Sequence, residues 1–262
     1  MFSNLQQATH RVKNGLISQW KWYVIFILWS CFIWFQNVKD FSITFQFYEL
    51  PISVADILID SQIGTNFGLK ICPFVCFIVL RSKINSLRAQ SIIRYKTKTS
   101  FLITQILESA IYAFIFSVFQ CTLITFTAIS KGLPLICWDM LDNIFYLKTD
   151  LLLAESFSKV VGFIVCFFFL KYMMIFAVLD ITLWISNISL LPWMLLIIYA
   201  GLELPLFKSK NIKGFHSFFA VQYELWRIPW RHVLLAVTAI TLIFLEYYIV
   251  NQLIKRKDLF RI

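Results

Sequence analysis

The run KVVGFIVCFFFLKYMMIFAVLDITLW, residues 159–184, decides the fold class. Crossing the hydrocarbon core of a bilayer as a helix takes about 20 mostly apolar residues, with a range of roughly 17–25. This run meets that length, and it is too long and alternates too weakly to be a strand of a transmembrane barrel. Apart from Lys159 at its edge it also carries two charges, Lys171 near its middle and Asp180 further on. Each such residue costs about 2.5–3.5 kcal/mol at the centre of an inserted helix.

Five further runs read the same way: 20–36 with Trp at its start, 64–80 interrupted by Pro73, 101–129, 188–206 and 232–253. The 262-residue chain is 60% hydrophobic and 18% aromatic, with a mean hydropathy of +0.75. A soluble domain is about 45–50% apolar, so a chain this oily cannot cover itself with polar surface. The expectation is an all-α integral membrane protein of six transmembrane helices, with residues 1–262 forming one membrane domain. The first twenty residues are too polar for a cleavable signal peptide. Phe2, Leu5, Ala8, Val12 and Leu16 instead fall at helical spacing, which predicts an amphipathic helix on the membrane surface.

Lys and Arg asymmetry sets the orientation. With six spans, one side receives Arg11, Lys13, Arg81, Lys83, Arg88, Arg94, Lys96, Lys98, Lys255, Arg256, Lys257 and Arg261, against the single acid Asp258. The segment 37–63 has Lys39 against Asp40, Glu49, Asp56 and Asp60; 130–158 has Lys131 and Lys148 against Asp139, Asp142, Asp150 and Glu155. Both termini and the 81–100 loop are therefore expected in the cytoplasm. Segment 207–231 resists the rule, with five basic residues against Glu224 on the outer side. Its aromatic and Arg-rich part, 215–231, predicts an interfacial helix ahead of the last span.

Catalytic chemistry is sparse. No Walker phosphate loop, dinucleotide glycine pattern, HExxH or GxSxG motif occurs, and the three histidines are scattered. No residue stands out as catalytic or as a metal ligand. Of six cysteines, the Cys72–Cys76 pair shares a helical face, but nothing nearby completes a zinc set, so small buried hydrophobes is the reading. Glu108, Gln120, Lys171 and Glu246 are candidates for a polar translocation path, with Lys171 and Glu246 able to pair across the bundle. Buried ion pairs, a snorkelling lysine and interhelical hydrogen bonds account for the same residues without transport.

The loop RSKINSLRAQSIIRYKTKTS, 81–100, has six basic residues and no acid. Nucleic acid would call for interleaved aromatics, and only Tyr95 is present. Topology explains the charge but not the length. A basic helix with Ile84 and Leu87 on one face suits the docking of a soluble partner.

In this arrangement the chain resembles the permease subunits of type-2 ATP-binding-cassette exporters, including those that export bacteriocins and other antimicrobial peptides. The resemblance lies in the architecture, in RSKINSLRAQSIIRYKTKTSFLITQI and in IVNQLIKRKDLF. It implies a coupling helix over 81–94, with Arg81, Lys83, Ile84, Leu87, Arg88 and Arg94 docking a cytoplasmic ATP-binding subunit. It also implies a second permease copy, ATP and Mg on that partner subunit, and export of an amphiphile across a bacterial plasma membrane. The large 130–158 segment departs from that pattern. An accessory or immunity membrane protein that transports nothing would share the architecture.

Overall fold

The computed structural model describes residues 2–47, 50–62, 66–86, 97–185, 223, 226 and 230–256. Among these residues the chain is helical and has no strand. Four helices are long and apolar enough to cross a membrane: Trp20–Phe45, Lys98–Ile129, Phe157–Trp184 and Trp230–Lys255. The expected span at 188–206 and most of 207–231 lie outside the described residues.

The amphipathic start of the chain forms helix α1, Phe2–Ser18, and leads at Gln19 into α2, Trp20–Phe47. Helix α2 runs well past the expected end at residue 36, because no Gly or Pro stands between 37 and 47 to stop it. After a Thr97 cap, whose side chain accepts from the Ser100 amide, α5 spans Lys98–Ile129. It ends where Gly132 takes the left-handed conformation at φ +76°, a region that glycine enters without steric cost.

Helices α1 and α2 run alongside α5 in the same direction. Asn4 meets Ser100, Arg11 meets Glu108, Phe26 meets Phe116 and Phe119, and Phe35 meets Lys131. The expectation of α1 on a membrane surface is therefore corrected. Its stripe of Asn4, Ala8, Val12 and Gly15 is buried against protein, while Leu5 stays exposed. Gly15 explains the close approach: a Cβ there would fall 2.6 Å from Ser82 Oγ and closer still to the Tyr112 hydroxyl.

The second expected span, 64–80, is not among the four membrane-length helices, and the described residues around it form three shorter helical pieces. Helix α3, Val54–Ser61, starts at a capping box in which Ser53 and Asp56 bond each other reciprocally. A π-helical turn, Asn66–Ile71, continues into α4, Cys72–Ser86. Asp56 and Asp60 make α3 read as an outer loop, yet it is buried, because the Asp56 carboxylate accepts from the Ser53 amide (2.8 Å), Ser53 Oγ (2.6 Å) and Trp138 Nε1 (2.9 Å). Pro73 lies two residues past the π-helical turn and, having no N–H, donates no hydrogen bond back into it. The Trp29 indole caps the Lys70 carbonyl in the π turn at 2.8 Å. Phe67, Ile71, Cys72, Val75, Cys76, Ile78, Val79 and Leu80 are all fully buried, as expected of a helix that is apolar on every side.

Helix α7, Phe157–Ile185, runs antiparallel to α5, with Trp184 at Phe101 and Gln105, Asp180 at Ser109 and Tyr172 at Phe116. Helix α8, Trp230–Arg256, lies beside α7 and parallel to it: His232 packs on Phe163 and Phe167, and Ala239 on Leu170 and Met174. Ile185 and Trp230 therefore stand at opposite ends of the bundle.

Between α5 and α7 the chain builds a cap at the end of the bundle remote from α1. The Ser53 end of α3 is pinned there by Val54 and Ala55 amides donating to the Pro134 and Leu135 carbonyls. The short α6, Ile144–Thr149, is capped by Asn143 and closed by Asp150 at φ 57°. Trp138 stacks on Phe145 at 4.4 Å and meets Trp226 at 5.3 Å, while Tyr223 packs on Phe145.

Gly15→Ala is expected to destabilise the protein by about 1–3 kcal/mol through overpacking. Thermal unfolding in detergent measures this, and cleavage at Arg11 or Lys13 by trypsin should speed up while the helix content of the bundle is retained.

Candidate functional site

Polar residues of six helices converge inside the bundle at its α1 end. At the centre is Lys83, on the last turn of α4. Its ammonium donates to both carboxylate oxygens of Asp180 on α7, at 2.6 and 2.7 Å, and to Ser109 Oγ on α5 at 2.6 Å. Lys83 is 1% exposed and Asp180 is fully buried. A buried pair of this kind offsets its desolvation only if the remaining lone pairs and protons are satisfied; Ser109 Oγ, 3.3 Å from the second Asp180 oxygen, closes that triangle. The Phe176 ring lies 5.9 Å from the ammonium, and Tyr247 of α8 faces Asp180.

Beside this triad stands Glu108, one residue before Ser109 on α5 and 1% exposed. Arg11 of α1 approaches it at 3.5 Å and lays its guanidinium over the Phe101 ring at 5.5 Å. Tyr112, one turn along α5, exchanges a 2.9 Å hydrogen bond with Ser82 on α4, and Tyr23 of α2 lies beside Tyr112. Thus α1, α2, α4, α5, α7 and α8 all contribute to one polar cluster.

Several residues singled out in the sequence come together here and others do not. Glu108 and Lys83 are neighbours in the cluster, which corrects the expectation of Lys83 on a docking surface. That expectation fails because the helix of α4 simply continues through Ser86 and turns Lys83 inward. Arg81 is exposed, with its guanidinium 5.7 Å from the Trp22 ring, and Ile84 is half-buried. Leu87, Arg88 and Arg94 lie outside the described residues. Gln120 sits further along α5 and accepts from the Trp34 indole, so it joins α2 to α5.

Lys171 and Glu246 do not pair. The parallel run of α7 and α8 sets Glu246 near the level of Asp180, more than two helical turns from Lys171. Lys171, fully buried at the midpoint of α7, donates instead to the Gln62 carbonyl at 3.0 Å, with the Phe67 and Phe168 rings 5.5 and 6.0 Å away. Gln62 closes the C-terminal end of α3, where the partial negative charge of the helix dipole suits an ammonium. Glu246 Oε2 is buried and accepts no hydrogen bond.

The contributions of Arg11 and Tyr247 do not emerge from the sequence. For Ser109 the signal is spacing, because Gln105, Glu108, Ser109 and Tyr112 recur on one face of α5. The cysteines behave as small apolar groups: Cys72 and Cys76 Sγ lie 3.8 Å apart, and among the described residues no cluster of three or more His, Cys, Asp or Glu is placed to hold a metal. Burial, with the Asp56 carboxylate beside it, pushes the Cys137 thiol up to about 11, which leaves it unreactive at neutral pH.

Lys83→Met strands the Asp180 carboxylate and is expected to cost about 3–5 kcal/mol, whereas the double variant Lys83→Met/Asp180→Leu regains most of that loss. Thermal unfolding of the four members of the cycle in detergent checks the coupling; purely additive single effects would refute it.

No family model matches the chain, and neither a curated protein nor a solved structure does.

Proposed function

We propose that the chain is the membrane-spanning subunit of an exporter whose ATP is hydrolysed, with Mg, on a separate cytoplasmic subunit docked on the basic 81–100 loop. The observation that carries the reading is Lys83. It stands on the last turn of α4, at the start of the basic 81–100 segment, and it holds α4 to α5 through Ser109 and to α7 through Asp180. A force applied to the loop by a partner therefore reaches two membrane-length helices at once, through charge-assisted bonds that are short and directional.

Other features support the reading. The sequence contains no phosphate-binding motif of its own. The outward faces of α2 and α8 present Val24, Ile27, Leu28, Phe32, Val233, Leu234, Val237 and Phe244, which suit lipid or a second copy of the permease. The Lys and Arg bias favours a cytoplasmic α1 end, and the aromatic content favours an amphiphilic cargo such as a peptide. Opening and closing of a cleft between two permeases is the mechanism this implies.

Purification of the tagged full-length chain from its native membrane in mild detergent tests the reading. An ATPase of the ATP-binding-cassette type is expected to accompany it in stoichiometric amount and to be lost from Arg88→Glu/Arg94→Glu. Recovery of the permease with no such ATPase overturns it.

A further inference from the structure

The charges at the α1 end are unequally satisfied. Asp180 receives two short hydrogen bonds from Lys83 and a longer one from Ser109. Glu108, equally buried, has neither carboxylate oxygen within an ordinary hydrogen bond, and its closest cation, Arg11 Nη1, is 3.5 Å away. A carboxylate held out of water without hydrogen bonds is costly, and taking up a proton removes the charge. The route for a proton is short, because Arg11, 3.5 Å from Glu108, has a side chain that is 13% exposed.

We propose that Glu108 is a proton-binding site, and that its protonation cancels the ion pair with Arg11 and loosens α1 from the bundle. The proton comes from solvent at the α1 end and adds to a Glu108 oxygen, giving a neutral carboxylic acid; Arg11 keeps its charge and its other contacts, the Phe101 ring among them. The groups facing Glu108 are Arg11 from α1, Tyr23 from α2, Lys83 from α4, Tyr112 from its own helix, Asp180 from α7 and Tyr247 from α8. Lys83 is bound to Asp180 and does not replace Arg11 as the close partner. The site acts on a useful element: α1 packs through Gly15 against Ser82 on α4 and through Asn4 against Ser100 on α5. Ser82 and Ser100 flank the 87–96 stretch, so loosening α1 uncovers both roots of the basic loop. The inference stands independently of the transport reading.

The test tracks the exposure of α1 in the full-length protein in detergent. Ala8 is buried on the docked face of α1 and Gln6 is exposed. Rates of reaction of a water-soluble maleimide are measured for Ala8→Cys and for Gln6→Cys, with the parent protein as background. Their ratio removes the intrinsic pH dependence of the thiol. The ratio is expected to rise as pH falls, by up to about tenfold per pH unit, the limit for one linked proton. In Glu108→Gln it should be high and flat, and in Arg11→Lys and His10→Gln the pH response should persist. If Glu108→Gln does not purify as a single species, Glu108→Asp decides: a carboxyl shortened by one methylene should keep the response but displace it along the pH axis. A ratio that is flat with pH, a response that survives Glu108→Gln, an unshifted response in Glu108→Asp, or loss of the response in His10→Gln overturns the proposal.

Discussion

The ion pair between Lys83 and Asp180 is the constraint around which one end of this bundle is arranged. Two opposite charges are removed from water between α4, α5 and α7, and neither is tolerable there without the other. The triangle they make with Ser109 fixes which turn of α4 faces which turn of α7, a register that apolar contacts alone leave loosely specified. Phe176 covers the pair and Tyr247 brings α8 against it, so four helices are referred to one point.

Elsewhere the bundle handles buried polarity by tying side chains to backbone and to helix ends. Lys171 meets the carbonyl end of α3, and Asp56 closes its amide end while binding the Trp138 indole. Helix α3 is thus fastened at both termini by side chains, one of them at the midpoint of α7. The backbone groups at the two ends of α3 are met by protein groups, and an unsatisfied buried backbone group would cost several kcal/mol. The two polar centres differ in kind. Around Asp56 the carboxylate is bonded from three donors, whereas Glu108 keeps unused acceptors beside a partly solvent-accessible arginine.

Much of the helix inventory is legible in the chain. The apolar runs near 20–36, 101–129, 159–184 and 232–253 all form long helices, with boundaries extended by a few residues or, in α2, by three turns. Helix α3 is not legible, because Asp56 and Asp60 carry the signature of a loop, and the buried Asp56 is satisfied by Trp138, eighty-two positions away. Lys83 is hidden for a related reason. Within a run of six basic residues it looks like one more solvated charge, and only the angle at which α4 meets α7 turns it inward. A pairing of Lys171 with Glu246 is reasonable from depth along each helix, but depth does not reveal that α7 and α8 run parallel.

By itself the sequence determined the consequences of local composition. Apolar runs of this length favour helices, which satisfy their own backbone out of water, and the excess of Lys and Arg on one set of segments sets an expectation of a common side. Only the tertiary structure decided which charges meet. Glu108, Arg11, Lys83 and Asp180 come from four separate helices, and hydrogen bonds of under about 3 Å depend on the rotation and tilt of each helix. Those angles are set by packing, by Gly15 against Ser82 and Tyr112 and by the aromatic contacts of α2, α4 and α5. Packing is a property of pairs of surfaces, and no single stretch of the chain encodes it.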